Sequence, residues 1–147
     1  MKSTIAAIAI TLALAGSAFA QGAWDYSVKT AIDGKLTETA ISESNDSATL
    51  VIRCKTSCEV YISLDRTIAA DQSSVRVKFN NSHLRTFSVN RGEGSDSLFF
   101  RAPISLLKAI RDNGGYMTVE YSPYGKVPTT ATFGVWNLPP TILKRIK

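Results

Sequence analysis

Residues 48–64, ATLVIRCKTSCEVYISL, contain both cysteines of the chain and decide the fold of the segment around them. On either side of the central KTS, every second residue is apolar, which is the pattern of two strands joined by a short loop. If Cys54 lies opposite Cys58, one face of this hairpin is apolar throughout, because strand side chains alternate between two faces. The pairs on that face are Ile52 with Val60, Leu50 with Ile62, and Ala48 with Leu64.

The opposite face of the hairpin supports the same register. Its pairs are all of kinds that stabilise neighbouring strands. They are an ion pair, an aliphatic–aromatic pair and a hydroxyl pair: Arg53 with Glu59, Val51 with Tyr61, and Thr49 with Ser63. A slip of one residue would turn the apolar side chains of one strand to the wrong face, so the sequence predicts this register tightly.

The two cysteines then face each other on the apolar side, close enough to form a disulfide in an oxidising compartment. Closing so short a loop contributes only about 2 kcal/mol, and we expect the bond chiefly to hold a KTS turn that lacks glycine and asparagine. A redox site fits less well, because such sites use CxxC at the start of a helix, whereas this spacing is CxxxC between strands. A zinc site needs four ligands, and beyond Cys54 and Cys58 only His83 is a good candidate.

The amino terminus has the features of a secretory signal peptide. Lys2 gives a positive start, residues 5–15 are apolar except for Thr11, and Ala18 and Ala20 are the small residues that a signal peptidase reads. The apolar run is far shorter than the roughly 20 residues that cross a bilayer, so we expect no membrane span. We therefore predict that residues 1–20 are a signal peptide and that residues 21–147 form a single β-rich domain, periplasmic or secreted.

The chain is mildly basic, with a formal net charge of +5. Its positive residues are scattered, and the densest cluster is KRIK at residues 144–147. Two interpretations stay open: contact with an anionic lipid, a cell-wall polymer or an acidic partner, and an ordinary solvated surface. Since an exported protein has little access to nucleic acid and the sequence has no recognised nucleic-acid motif, we expect no nucleic-acid partner.

The rest of the chain is dominated by the alternation typical of strands. The predicted strands cover residues 24–30, 36–43, 75–79, 85–89, 97–100, 116–121 and 127–135. Asp33-Gly34 marks the first turn, and residues 122–125, SPYG, suit a type I turn with proline second. Pro103 opens one short amphipathic helix, and residues 141–146 predict a final helical turn. This pattern predicts a mostly β fold: an antiparallel β-sandwich or flattened barrel with one or two short helices.

No catalytic motif is recognisable. His83, the single histidine, lies in a polar turn without a nucleophile elbow, HExxH or glycine-rich phosphate loop, which favours a surface position. We predict no catalytic, metal-binding or cofactor-binding residues, and no cofactor. Carboxylates from distant strands could still assemble a site, and aromatic side chains could form a carbohydrate or peptide platform or simply pack. The carboxylates are Glu38, Glu43, Glu59 and Glu120, and the aromatics are Trp24, Tyr26, Tyr61, Tyr121, Tyr124 and Trp136.

A set of short motifs carries a family resemblance. They are Trp24, LxIxC at residues 50–54 followed by ExYIxL, VRVKFN at residues 75–80, Phe99-Phe100 leading into Leu106-Leu107, and ATF at residues 131–133. Together they resemble small periplasmic proteins of the type VI secretion accessory kind. The chain departs from that pattern at Phe87, where a tryptophan is expected, and at Asn137-Leu138, where a glycine is expected. The resemblance implies a non-enzymatic envelope protein that binds a partner, and no family site residues carry over.

Two functions stay open. The first is an exported interaction or accessory protein of the bacterial cell envelope, without catalytic activity, whose partner is another envelope protein. An apolar patch or an unpaired edge strand would favour it, and residues 85–96 are expected to supply a short strand and a mobile loop. The alternative is an envelope enzyme acting on cell-wall or other polymeric substrate through carboxylates from separate strands. An exposed aromatic groove between two carboxylates would favour that function.

The signal sequence generates the first testable prediction. The processed protein should begin at Gln21 and appear in the periplasmic or extracellular fraction, because the apolar run has the length of a signal peptide. Intact-mass measurement after cell fractionation checks both points. Recovery of the whole chain from the membrane, beginning at Met1, would contradict the prediction.

Overall fold

A computed structural model describes residues 23–146 of the chain. The predicted signal peptide at residues 1–20 lies outside the described residues. The described part is mostly β, as the alternating pattern predicts. Its strands are β1 (Asp25–Thr30), β2 (Leu36–Glu43), β3 (Thr49–Cys54), β4 (Cys58–Ser63), β5 (Ser74–Phe79), β6 (Arg85–Arg91), β7 (Ser97–Phe100), β8 (Tyr116–Tyr121) and β9 (Thr129–Gly134), and its helices are α1 (Pro103–Asn113) and α2 (Pro140–Arg145).

All nine described strands belong to one antiparallel sheet in the order β9-β8-β5-β6-β7-β4-β3-β2-β1. The central strand β6 is shared, because Arg85 to Ser88 pair with β5 and Val89 to Arg91 pair with β7. The two halves of the sheet therefore meet at β6 and enclose one core between them, which gives a sandwich-like fold. The sheet is open, since β1 and β9 form its two ends.

The β3–β4 hairpin has the register that its sequence predicts. Leu50 lies opposite Ile62, and Cys54 lies opposite Cys58, with a disulfide between the two sulfur atoms. On the other face, Arg53 and Glu59 form the expected ion pair. Apolar side chains that alternate along the strands fill the space between the halves and are almost inaccessible to solvent. The largest are Tyr121, Phe79, Phe133, Leu50, Ile52, Ile62, Ile68, Leu98, Leu106, Leu107, Ile110 and Met117.

Both predicted helices are present. Helix α1 begins with Pro103, at a position where no backbone N–H is needed. Its side chains Leu106, Leu107 and Ile110 are buried against the sheet. Ile104, which also fits the helical spacing, is 38% exposed. In α2 the buried side chain is Ile142, and Ile146 follows it into the core. Neither helix has the length and apolar character needed to cross a bilayer, and the same holds throughout residues 23–146.

Two local expectations were wrong. The strand within residues 85–96 lies in the middle of the sheet, so it cannot serve as a recruiting edge. Residues 90–96, NRGEGSD, continue β6 and then form a hairpin loop, in which Ser95 O and Asp96 O accept hydrogen bonds from the backbone of Ile68 and Leu64 at 2.7 Å. In the β8–β9 connection, Lys126 N donates to Pro123 O, so proline is first in that turn and Gly125 takes the third position with φ of 69°.

The disulfide leads to a prediction about stability. Changing both Cys54 and Cys58 to Ala should lower the free energy of unfolding by about 2 kcal/mol, because the bond closes a very short loop. Urea titration of the oxidised and double-variant proteins measures the difference. Thiol labelling under denaturing, non-reducing conditions is the control, and labelling of both cysteines in the exported protein would contradict the bond.

Candidate functional site

The two ends of the sheet differ in how they are covered. At the β9 end, Ser42 Oγ donates to Gly134 O at 2.7 Å, and Thr132 N donates to Asn45 Oδ1 at 3.2 Å. At the other end, all six residues of β1 are exposed, and the described strands pair with β1 on one side only. The β1–β2 hairpin is therefore an accessible end of the sheet.

The tip of this hairpin exposes apolar side chains. Ala31 N donates to Lys35 O at 2.8 Å and closes the loop, in which Gly34 has a φ of 85°. Ile32 stands fully exposed at the tip, and Leu36 is 52% exposed beside it. Such side chains are costly to leave in water when they cluster, and clusters of this kind mark interaction surfaces.

An open cleft lies between this tip and the loop that the disulfide closes. We call it the tip cleft, and it has a volume of about 610 Å³. Ala31 and Leu36 give it apolar surface, whereas Lys35, Lys55 and Arg145 give it positive charge. These three cations come from three separate elements: the first hairpin tip, the second hairpin tip and α2.

Arg145 ties those elements together. Its Nη2 and Nε donate to Glu38 Oε2 at 2.8 and 3.3 Å, and its Nη1 donates to Lys55 O at 2.9 Å. The planar guanidinium can serve acceptors in two directions at once, which a lysine ammonium on its flexible stem does less well. The position of α2, and with it one wall of the tip cleft, therefore depends on this side chain.

Glu38 is the buried partner of that salt bridge, with 8% of the residue exposed. Its carboxylate also accepts a hydrogen bond from Tyr26 Oη at 3.0 Å, and Tyr26 Oη lies 2.8 Å from Thr141 Oγ1. Burial raises the pKa of the Glu38 carboxyl, but hydrogen bonds from Thr141, Arg145 and Tyr26 outweigh burial and hold that pKa below its ordinary 4.5. The carboxylate is thus ionised at neutral pH.

The phenol in this cluster has the opposite behaviour. Burial is the main cause that raises the pKa of Tyr26, and the neighbouring Glu38 raises it further against the lowering effect of the Thr141 hydrogen bond. Tyr26 therefore stays protonated and donates to the carboxylate. The ionised Glu38 and the protonated Tyr26 hold α2 in place. Neither of these two groups exchanges a proton near neutral pH.

The charge of the tip cleft is only partly neutralised. Arg145 is compensated by Glu38 beneath it, and Lys35 Nζ lies 4.0 Å from Asp33 Oδ2 in an exposed contact. Lys55 takes part in none of the salt bridges found between residues 23 and 146. The cleft is consequently a positive surface with apolar neighbours.

Three of the four carboxylates considered from sequence are paired with arginines rather than with one another. Glu38 pairs with Arg145, Glu59 with Arg53 and Glu120 with Arg76. Glu43 is exposed at the end of β2, and His83 is exposed in the β5–β6 turn. Within the described residues, no group of three or more histidine, cysteine or acidic side chains is arranged to hold a metal ion.

The aromatic residues lie at separate places. Tyr61 stacks on Phe99 with ring centroids 4.6 Å apart, and Trp136 meets Tyr116 edge-on at 5.4 Å. The other aromatics have different surroundings: Tyr121 is buried, Trp24 packs against the core, Tyr124 is 70% exposed and Tyr26 belongs to the Glu38 cluster. Of the two alternatives, a platform and packing, these separate positions do not support a single aromatic platform.

Sequence reasoning missed Lys35 and Lys55 as site residues. Arg145 was noted only as part of the basic cluster at residues 144–147. The three are far apart in sequence, and no local pattern indicates that the two hairpin tips and α2 converge.

No family model matches the chain, and neither does any curated protein or solved structure. The function is therefore argued from the geometry of the surface.

The Glu38 cluster generates a prediction about stability and pH. Glu38→Gln should lower the free energy of unfolding by about 2 kcal/mol at pH 7, below the roughly 3–5 kcal/mol of fully buried pairs, because the Arg145 side chain is 28% exposed. Glu59→Gln is the matched control: both partners of that pair are about 40% exposed, and we expect a loss below about 1 kcal/mol.

The pH dependence follows from the lowered pKa of Glu38. The stabilisation is fully present above pH 4.5 and is lost as the pH falls through the lower pKa of the folded state. Urea titrations from pH 7 to about pH 3 should therefore show the difference between wild type and Glu38→Gln shrinking at the acid end. A difference that stays constant or grows with acidity would contradict the ion pair.

Proposed function

We propose that the protein is an exported interaction or accessory protein of the bacterial cell envelope, which binds another envelope protein and catalyses no reaction. The observation that carries the proposal is the tip cleft, where Lys35, Lys55 and Arg145 converge beside the exposed Leu36. A cationic cleft next to apolar side chains suits a protein segment that combines acidic residues with an apolar anchor.

The envelope location is supported by the signal-like residues 1–20 and by the disulfide, since such bonds persist in oxidising compartments. The resemblance in short motifs favours an accessory role in type VI secretion. The signal-like residues and the disulfide concern where the protein acts, and the resemblance concerns its class of partner.

The recognition mechanism follows from the two kinds of side chain present. Long-range attraction between the cations and an acidic segment raises the rate of encounter and orients the partner. Burial of Leu36 in the cleft, and of Ile32 at the adjacent hairpin tip, then adds a hydrophobic contribution to the binding free energy. Because Arg145 and the disulfide already fix the walls, little ordering is needed on binding.

The alternative of an envelope enzyme has weaker support. Three of the four carboxylates that could act as acids are each paired with an arginine, and none of these three is paired with another carboxylate. The Glu38 and Tyr26 side chains are committed to each other and to α2.

The test of the proposal reverses the charge of the cleft. Lys35→Glu with Lys55→Glu should weaken partner binding at least about tenfold, because an acidic segment would meet two negative charges. The control is Lys78→Glu with Lys108→Glu, an equal change of charge at exposed positions on β5 and α1.

Both variants and the wild type are immobilised and used to capture envelope proteins from the native bacterium, and the affinity of the captured partner is then measured at low and high salt. We expect the cleft variant alone to lose the partner. Equal losses in both variants would indicate a non-specific charge effect, and equal retention would refute the role of the cleft.

A further inference from the structure

Among residues 23–146, no strand pairs with the outer edge of β1, so this edge carries a defined set of backbone groups without a strand partner. In an antiparallel pair, successive residues direct their N–H and C=O groups alternately toward and away from the neighbouring strand. Thr30 lies opposite Leu36, and Ala31 N donates to Lys35 O, so the backbone groups of Ala31 point toward the partner strand. The backbone groups of Thr30, one residue earlier, therefore point away from β2. Tyr26, Val28 and Thr30 therefore direct their backbone groups to the outer edge.

Within residues 23–146, this edge has charged side chains, Asp25 and Lys29, but lacks three other common protections against strand pairing. Proteins blunt edges with proline, with bulges or by covering them, and DYSVKT has no proline and pairs with β2 without interruption. The hydroxyl of Tyr26 bonds to Glu38 and lies beside Thr141, so the strand is already held in an extended form. Little conformational freedom is left to lose when a second strand pairs with it.

We propose that β1 pairs with β1 of a second copy of this chain, antiparallel, about a twofold axis at Ser27. In this register Asp25 lies opposite Lys29 of the second copy, and Tyr26 lies opposite Val28 of the second copy. Opposite charges and an aromatic–aliphatic pair are both favoured across strands. The backbone groups of Tyr26 and Val28 both face the outer edge of β1. Tyr26 of one copy and Val28 of the other therefore exchange two N–H···O hydrogen bonds.

Charge selects this register over the neighbouring ones. A slip of two residues in either direction leaves Asp25 and Lys29 without an opposite charge, and a slip of four places two lysines or two aspartates face to face. An unrelated peptide could satisfy the backbone of β1, but the strand's own sequence already supplies the complement to its charges. The second copy is therefore the occupant that this edge fits.

The dimer that results is a reversible one. A single pair of six-residue strands buries less surface than a standard interface of roughly 1,600 Å², so we expect a dissociation constant on the order of 10 µM. The contact uses the outer edge of β1 and leaves the tip cleft to a different protein, so it goes beyond the proposed function.

Sedimentation velocity of the purified protein between about 1 and 500 µM tests the dimer. We expect Asp25→Lys and Lys29→Asp each to weaken dimerisation at least tenfold at low salt, because each places like charges opposite one another. Combining both substitutions in one chain restores the opposite charges and should return the dissociation constant to within about threefold of wild type.

Val28→Pro provides a second route, since it removes a backbone N–H from the outer edge and leaves the hydrogen bonds to β2 in place. A protein that stays monomeric up to 500 µM, or a double charge swap that fails to restore the dimer, overturns the proposal. Partner capture by the tip cleft is tested separately, with the Lys35→Glu and Lys55→Glu substitutions. Its outcome does not depend on whether the protein dimerises.

Discussion

The salt bridge between Arg145 and the buried Glu38 is the interaction on which the candidate site depends. The same guanidinium also donates to Lys55 O, so one side chain joins α2 to strand β2 of the first hairpin and to the tip of the second hairpin. Glu38 lies at 8% exposure, and the hydrogen bonds that it accepts outweigh the effect of burial on its pKa and keep that pKa below its ordinary value. Because the walls of the tip cleft are the elements that Arg145 connects, the charge and shape of the cleft follow from this cluster.

The local pattern of apolar residues predicts much of the fold, because apolar and polar residues alternate along most of the chain. The β3–β4 hairpin is the clearest example, since both of its faces demand the same register and the disulfide is consistent with it. The register of β1 with β2 and of β8 with β9 follows from similar short connections. Where a tertiary contact competes, local reasoning fails: Pro123 forms a bridge with Ile68, and the adjacent turn shifts by one position.

The candidate site is harder to predict because its residues are brought together by packing between distant elements. Glu38 and Arg145 are 107 positions apart, and nothing near either residue indicates the other. The same limit explains the position of β6, which looks like a short edge strand in sequence but is shared by both halves of the sheet. Most of the named aromatic residues pack, at separate contacts, whereas Tyr124 is 70% exposed.

Hydrogen–deuterium exchange of wild type and Arg145→Lys tests most directly whether Arg145 organises the cleft. Lysine keeps the charge but cannot hold Glu38 and Lys55 O together in the same way. We predict faster exchange at residues 31–37 and 55–57 and in α2, with unchanged protection in the pairing of β4 with β7. Uniformly faster exchange across the sheet, or no change at the two hairpin tips, would contradict the account.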